Sequence, residues 1–242
     1  MAHDIVTRST FASALTSDKA LDVNGLSFGD EGWYRTLAVG SSWGRIRVGI
    51  QYSIVPNGIS NFTSGFIVVS INAGTSVYPA AAAPTNSYFA LLVASGDTVT
   101  YNAGAGNPYF MSTRTFSGRK IGVTQTLESE DSTDHYFAAT TGSIQRRGMS
   151  FVEFNKFNGR VSIYTFNTAS HVQVDYSSAE FLSALATDGT PSPGGNSMVL
   201  RSNPGSSVTD SGGALTTVGV YSAPGTPEAH TEIYDIAVQR FF

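Results

Sequence analysis

Between Trp43 and Ile54 the chain alternates without a break, with Ile46, Val48, Ile50, Tyr52 and Ile54 interleaved by Arg45, Arg47, Gly49, Gln51 and Ser53. A period of two sends successive side chains to opposite sides of an extended backbone, so this stretch predicts a long strand with one face for a core and the other for water. Weaker versions of the pattern recur to the last residue, and no helical period of comparable length interrupts them. The fold class that follows is all-β: an antiparallel β-sandwich with one or two short helices.

The predicted strands are Trp33 to Val39, Trp43 to Ile54, Phe62 to Asn72, Ser87 to Val93, Asp97 to Tyr101, Tyr109 to Thr115 and Lys120 to Leu127. The second half adds His135 to Thr140, Met149 to Phe154, Arg160 to Phe166, Val172 to Tyr176, Met198 to Arg201, Thr217 to Tyr221 and Glu232 to Phe241. Turn signals such as Pro56-Asn57-Gly58, Asn102-Ala103-Gly104, Asn158-Gly159 and Pro193-Gly194-Gly195 separate them. All nine prolines fall in connections or beside strand ends, as a residue that cannot donate to a ladder should. Ser177-Ser178-Ala179-Glu180 has the spacing of a capping box, and Phe181, Leu182 and Leu185 supply an apolar side before Asp188-Gly189, so a short helix is expected there. Residues 1–22 read as an N-terminal arm or a short helix, because Phe11, Ala14 and Leu15 follow Ser9 and Thr10 at helical spacing. Residues 23–242 read as a single elaborated sandwich domain, with long loops at Tyr78 to Asn86 and Thr187 to Asn196 and no regular internal repeat.

Composition excludes several function classes. Only 13% of the 242 residues are charged and the net charge is −4, which provides no basic field to hold a phosphate backbone, so nucleic acid is not an expected partner. Zero cysteines remove disulfides, thiolate metal sites and cysteine nucleophiles. No window approaches the ~18 apolar residues of a membrane span, and Met1 to Thr10 lacks the apolar stretch of a signal peptide, which predicts a chain made in the cytoplasm. With so few charges, Ser, Thr, Asn, Gly and some of the 15 Phe and 11 Tyr must coat the surface. Such a coat suits either subunit interfaces, whose cores are depleted in charge, or a neutral polar exterior.

Gly40-Ser41-Ser42-Trp43-Gly44 matches G-x-S-x-G, but the pattern needs a helix after the serine and the best strand of the chain follows instead, so a hairpin turn is expected. Glu128, Glu130, Asp131 and Asp134 form the one dense acidic cluster. They are a candidate cation loop, since a curled loop of oxygen ligands suits Ca²⁺, yet they lack EF-hand order, and a solvated acidic turn competes with that reading. Glu128, Glu130 and Asp131 are also the only clustered acids that a glycosidase mechanism could use. His3, His135, His171 and His230 lack zinc-pair spacing, and a triad of His171 and Asp175 with a serine has no support beyond composition. Trp33 and Trp43, with Tyr34, Tyr101 and Tyr109 nearby, are a candidate glycan platform, against the competing reading that both tryptophans are core. Asn61-Phe62-Thr63 is a glycosylation sequon that a chain without a secretion signal would not use. No catalytic residue, cofactor or metal is therefore assigned, and the chain is expected not to be an enzyme.

Phe157-Asn158-Gly159-Arg160-Val161-Ser162-Ile163-Tyr164 resembles the strand, glycine turn and I-Y strand of laminin-G-like and concanavalin-like jelly rolls. Val218-Gly219-Val220-Tyr221 and Glu232-Ile233-Tyr234-Asp235-Ile236-Ala237-Val238 are similar to the closing strands of that family. The resemblance implies a jelly-roll sandwich serving as a binding or assembly module. The cysteine-free, charge-poor texture is also similar to virion proteins of tailed bacteriophages. On that analogy the expected function is a non-enzymatic structural protein of a virion, a capsid decoration, fibre or tail component. It would form a homo-oligomer and dock onto other virion proteins, with the first 21 residues as a tether. The alternative is a carbohydrate-binding, host-recognition module that contacts a host-surface glycan; a glycoside hydrolase or lyase is the third reading.

Overall fold

The computed structural model describes residues 3–15, 33–56, 65–72, 87–94, 110–121, 124–138, 147–165, 175–195, 198–202, 215–224 and 229–242. Among them the strands run as β1 (His3–Leu15), β2 (Trp33–Ala38), β3 (Arg45–Pro56), β4 (Gly65–Asn72), β5 (Ser87–Ala94), β6 (Phe110–Ile121), β7 (Thr124–Ala138), β8 (Gly148–Asn155) and β9 (Arg160–Thr165). Helix α1 (Ser178–Ala186) and a 3-10 turn (Pro193–Gly195) precede β10 (Val199–Ser202), β11 (Thr217–Pro224) and β12 (Ala229–Phe241). Two six-stranded sheets result, ordered β1-β12-β3-β8-β9-β10 and β2-β11-β4-β5-β6-β7. Every pairing is antiparallel. The all-β antiparallel sandwich with short helices is thus the observed architecture.

Alternation builds the core between the sheets. Ile46, Val48, Ile50 and Tyr52 of β3, Val152 and Phe154 of β8, and Ile236 and Val238 of β12 cluster with Ile67, Val69 and Ile71 of β4 and Val218 and Val220 of β11. Each such aliphatic or aromatic side chain taken fully out of water stabilises the fold by ~1.5–3 kcal/mol. The one hydroxyl that β3 brings here is satisfied, because Tyr52 Oη lies 2.8 Å from Ser150 Oγ. Burial holds the Tyr52 phenol well above its ordinary pKa.

Four expectations need correction. The second face of β3 is not left to water: Arg47, Gly49 and Gln51 are buried and Arg45 is half-buried, because α1 and the segment after it lie across that side of the sheet. The start of the chain is neither a helix nor a detached arm, since His3–Leu15 is β1 and pairs with β12 from His3↔Phe241 to Leu15↔Ile233. Helical spacing of three apolar residues gave way to a ladder along a 13-residue partner strand. The breaks expected after Thr115 and Leu127 are absent, and β6 and β7 run as a long pair with irregularities at Thr113/Thr115 and Ser117/Gly118. Finally, Gly40 to Gly44 joins β2 of one sheet to β3 of the other, so it is an inter-sheet crossing and not a hairpin. The expected strand Asp97 to Tyr101, the loop Tyr78 to Asn86 and the sequon at Asn61 lie outside the described residues. Asp175 and Tyr176 are outside strands.

Candidate functional site

Helix α1 forms where its cap predicts it. Ser177 has extended backbone and its Oγ accepts from Glu180 N–H, while the Glu180 carboxylate accepts from Ser177 N–H at 2.8 Å. Phe181, Ala184 and Leu185, at i, i+3 and i+4, are buried against Met149, Phe151, Tyr176, Met198 and Ala237. The Phe181 ring stacks on Phe151 with centroids 5.8 Å apart and planes 15° from parallel. This approach requires Gly49, since a Cβ there would come within 2.8 Å of Phe181 and 2.9 Å of Phe151.

The helix has no basic residue in its last turn, and Arg47 supplies the charge from the sheet below. Its Nη1 donates to the carbonyls of Leu185 at 3.2 Å and Thr187 at 2.5 Å, and Nη2 donates to Gly189 O. Nε and Nη2 donate to Glu153 Oε2 at 3.1 and 2.9 Å. A guanidinium under a helix C-terminus meets carbonyls with no intrahelical partner and the negative end of the dipole. Burial pushes the Arg47 pKa down, opposed by the Glu153 charge and hydrogen bond. Burial, then Glu153, hold the Tyr164 phenol above its ordinary value. With the guanidinium shared between Glu153 and main-chain carbonyls, this cluster secures the helix and leaves no reactive group for a ligand.

The accessible chemistry sits at one end of the same sheet. The turn between β8 and β9 is set by Asn155, whose Oδ1 accepts from the N–H groups of Phe157 and Asn158, and by Gly159 at φ +69°. At its tip Phe157 is 67% exposed, the most exposed large apolar side chain described. Gly44 makes room for the Phe157 ring, because a Cβ at that position would fall 2.0 Å from Phe157 Cζ. Gly44 also ties three segments together: its N–H donates to Phe241 O at 2.9 Å and its carbonyl accepts from Lys156 N–H at 2.8 Å. Phe242, 43% exposed, follows directly, with the Arg240 guanidinium 5.3 Å from its ring centroid. The Lys156 ammonium lies 3.8 Å from the Trp43 ring centroid, and Arg160, at the far side of the turn, is exposed. Beside the turn Arg45 Nη2 donates to Asp188 Oδ1, which holds the Asp188 carboxyl below its ordinary pKa.

The residues singled out in the sequence fall elsewhere. Trp43 is 6% exposed in the core and its Nε1 donates to Leu215 O at 3.0 Å, so its ring is no flat platform facing solvent. Trp33 begins β2, which ends its sheet order; its side chain and that of Tyr34 lie outside the described residues, as do Tyr101 and Tyr109 altogether. Glu128, Glu130, Asp131 and Asp134 do not form a curled loop. They lie on β7, which ends the same sheet order, where charges discourage pairing with another strand. Among the described residues no group of three His, Asp or Glu is placed to hold a metal, and no helix is long and apolar enough to cross a membrane. His171 lies outside the described residues, and Asp175 pairs with Arg147 at 3.2 Å.

No protein-family model matches the sequence, and no curated protein sequence matches it. Solved structures are similar in outline. A legume lectin-like domain from Entamoeba histolytica superposes with a TM-score of 0.48 at 7% identity over 99% of this chain and 90% of that one. The exoplasmic/lumenal domain of VIP36 in its Ca²⁺/Man₃GlcNAc-bound form gives 0.47 at 8% identity over 99% and 85%. The CBM2 module of the evolved Dit of Lactobacillus casei BL23 phage J-1 gives 0.46 at 6% identity over 98% and 96%. At such scores the likeness carries no argument about this chain's site.

Phe157 escaped notice as a site residue, although a signal was present. A phenylalanine between Asn155 and Asn158-Gly159 stands inside a turn, and a turn leaves its tip in water. Arg47 and Glu153 carried no such signal, because nothing local says that carbonyls 137 to 142 residues beyond Arg47, at and after the end of α1, will settle on its guanidinium.

Proposed function

We propose that this protein is a non-enzymatic carbohydrate-binding sandwich whose contact point is the end carrying Phe157. The observation that carries the reading is the exposed Phe157 ring, held over Gly44 at a hairpin tip with Asn155, Asn158 and Lys156 around it. An aromatic face takes the C–H side of a sugar ring while neighbouring amides and cations take its hydroxyls. A binding role is further supported by three carboxylates on the helix side of this sheet that are engaged structurally: Glu153 and Asp188 each pair with an arginine and Glu180 closes its helix cap. The test is retention of the purified chain on a glycan array, with Phe157→Ala as the matched control. Retention by the parent and loss in the variant supports the reading, and equal retention by both overturns the assignment to Phe157.

A second reading, a homo-oligomeric bacteriophage structural protein docked to other virion proteins on the capsid or tail, is favoured by the length of two strands that end their sheet orders. These are β1 with 13 residues and β7 with 15. Light scattering over a concentration series tests it: a stable closed oligomer favours assembly, and a persistent monomer removes self-assembly from the account. The sugar contact and a place on a virion are compatible, since a host-recognition module does both.

A further inference from the structure

We infer that the saccharide taken by this end of the fold is anionic, an oligosaccharide bearing carboxylate groups such as uronic or sialic acid units. The inference rests on the carbohydrate-binding reading and adds the charge of the ligand to it. Register places Phe241, Arg45, Asn155 and Arg160 side by side across β12, β3, β8 and β9 at the last rung of the sheet. Lys156 sits in the turn that closes this rung, and Arg240 precedes Phe241. Between Asn155 and Arg160 the turn contains no carboxylate. Two acids near this rung are held by arginines, Glu153 buried under Arg47 and Asp188 paired with Arg45, and on the neighbouring strand Asp4 stands opposite Arg240 in register.

In a chain of net charge −4, the turn that carries the exposed phenylalanine thus has two cationic residues, Lys156 and Arg160, and no acid. Arg160 stands out among them, because it is exposed and forms no ion pair among the described residues. A guanidinium offers two parallel N–H donors matched to a carboxylate, and a charged hydrogen bond of this kind is stronger than one to a neutral hydroxyl. A sugar ring lying on Phe157 with a carboxylate toward Arg160 would use both features at once. Neutral glycans would lack the charged contact to Arg160.

The experiment compares the full chain with Arg160→Gln and Phe157→Ala on an array that pairs neutral oligosaccharides with their sialylated or uronate-bearing counterparts. Both altered side chains are exposed, so unchanged thermal unfolding is expected for each. The expected result is retention of acidic members over their neutral partners by about tenfold, weakening as NaCl is raised from about 50 to about 500 mM. Arg160→Gln should remove that preference and leave residual neutral binding, whereas Phe157→Ala should reduce both. Equal binding of neutral and acidic partners, still lost in Phe157→Ala, would overturn the anionic assignment and keep the carbohydrate reading. Retention of no saccharide would overturn both. An acidic preference untouched by Arg160→Gln would refute the site assigned here.

Discussion

Arg47 on β3 and Glu153 on β8 stand directly opposite each other in register and meet as a buried ion pair, Nη2 to Oε2 at 2.9 Å. Neither side chain exceeds 5% exposure, and the remaining N–H groups of the guanidinium go to the carbonyls that end α1. Two charges out of water repay their desolvation only when their hydrogen bonds are met, and here the helix C-terminus completes the set. The pair therefore joins three elements that are far apart in sequence.

Removing one partner should be severe. Arg47→Met leaves the Glu153 carboxylate with only its 3.8 Å contact to Arg45 and the last carbonyls of α1 without donors, an expected loss of about 3–5 kcal/mol in urea unfolding. Arg47→Met combined with Glu153→Leu should recover a substantial part of it, because no buried charge then remains. A single variant that unfolds at the parent's urea midpoint would show that the pair is not buried in solution.

Gly49→Ala should cost about 1–3 kcal/mol by overpacking, since the new methyl meets Phe181 and Phe151 inside 3 Å. Rings on both sides of the new methyl make relief possible by shortening one of them. Phe181→Leu in the Gly49→Ala background should cost less than the same change in the parent, and a double-mutant cycle measures that coupling. Strict additivity would mean that α1 does not rest on Gly49.

Gly44→Ala tests how the hairpin tip is organised. The atoms a Cβ would meet there belong to the far end of the Phe157 side chain, which can swing away, so the fold should stay within about 0.5 kcal/mol of the parent. Glycan retention should nevertheless fall as it does in Phe157→Ala, because the ring is displaced from its seat. Retention unchanged in Gly44→Ala but lost in Phe157→Ala would show that the seat over Gly44 does not matter for binding.

Trp43→Ala should act on stability rather than recognition. The indole is buried among core residues, and its loss opens a cavity and leaves the Leu215 carbonyl without its donor, about 3–5 kcal/mol together. A variant that keeps the parent's thermal midpoint while losing glycan retention would make Trp43 part of a glycan platform rather than the core.

Acid should loosen the segment after α1 before the core gives way. The folded-state pKa of Asp188 is depressed by Arg45, so its contribution is present above the ordinary carboxylate pKa of about 3.9 and disappears as pH falls through the lower folded value. Asp188 is more than half exposed, so the effect is small and screened by salt. Asp188→Asn should flatten the acid limb of a thermal-midpoint profile below about pH 4 at low ionic strength. An acid limb identical in parent and variant would leave this ion pair no role in stability.

Strand periodicity, the polar turn at Asn158-Gly159 and the capping box at Ser177 were legible because each is local. A period of two, a left-handed glycine and an Oγ three residues from its amide are all written within a few positions. The Phe157 tip was half legible: the turn could be read, but not that Gly44, more than a hundred residues earlier, would supply the floor beneath the ring. The acidic run of Glu128 to Asp134 misled because charge density looks alike on a loop and on a strand that closes a sheet.

By itself, then, the sequence determined that the chain would be all-β, where most of the described strands and the capped helix α1 would lie, and that cysteine chemistry was excluded. Only the tertiary structure decided that the second face of β3 is buried, that the first residues form β1, and that Trp43 is core while Phe157 is exposed. The physical reason is the range of the interaction. Alternation states that a strand has two faces, whereas what covers each face depends on which distant segment packs there, and that choice is made by the whole chain at once.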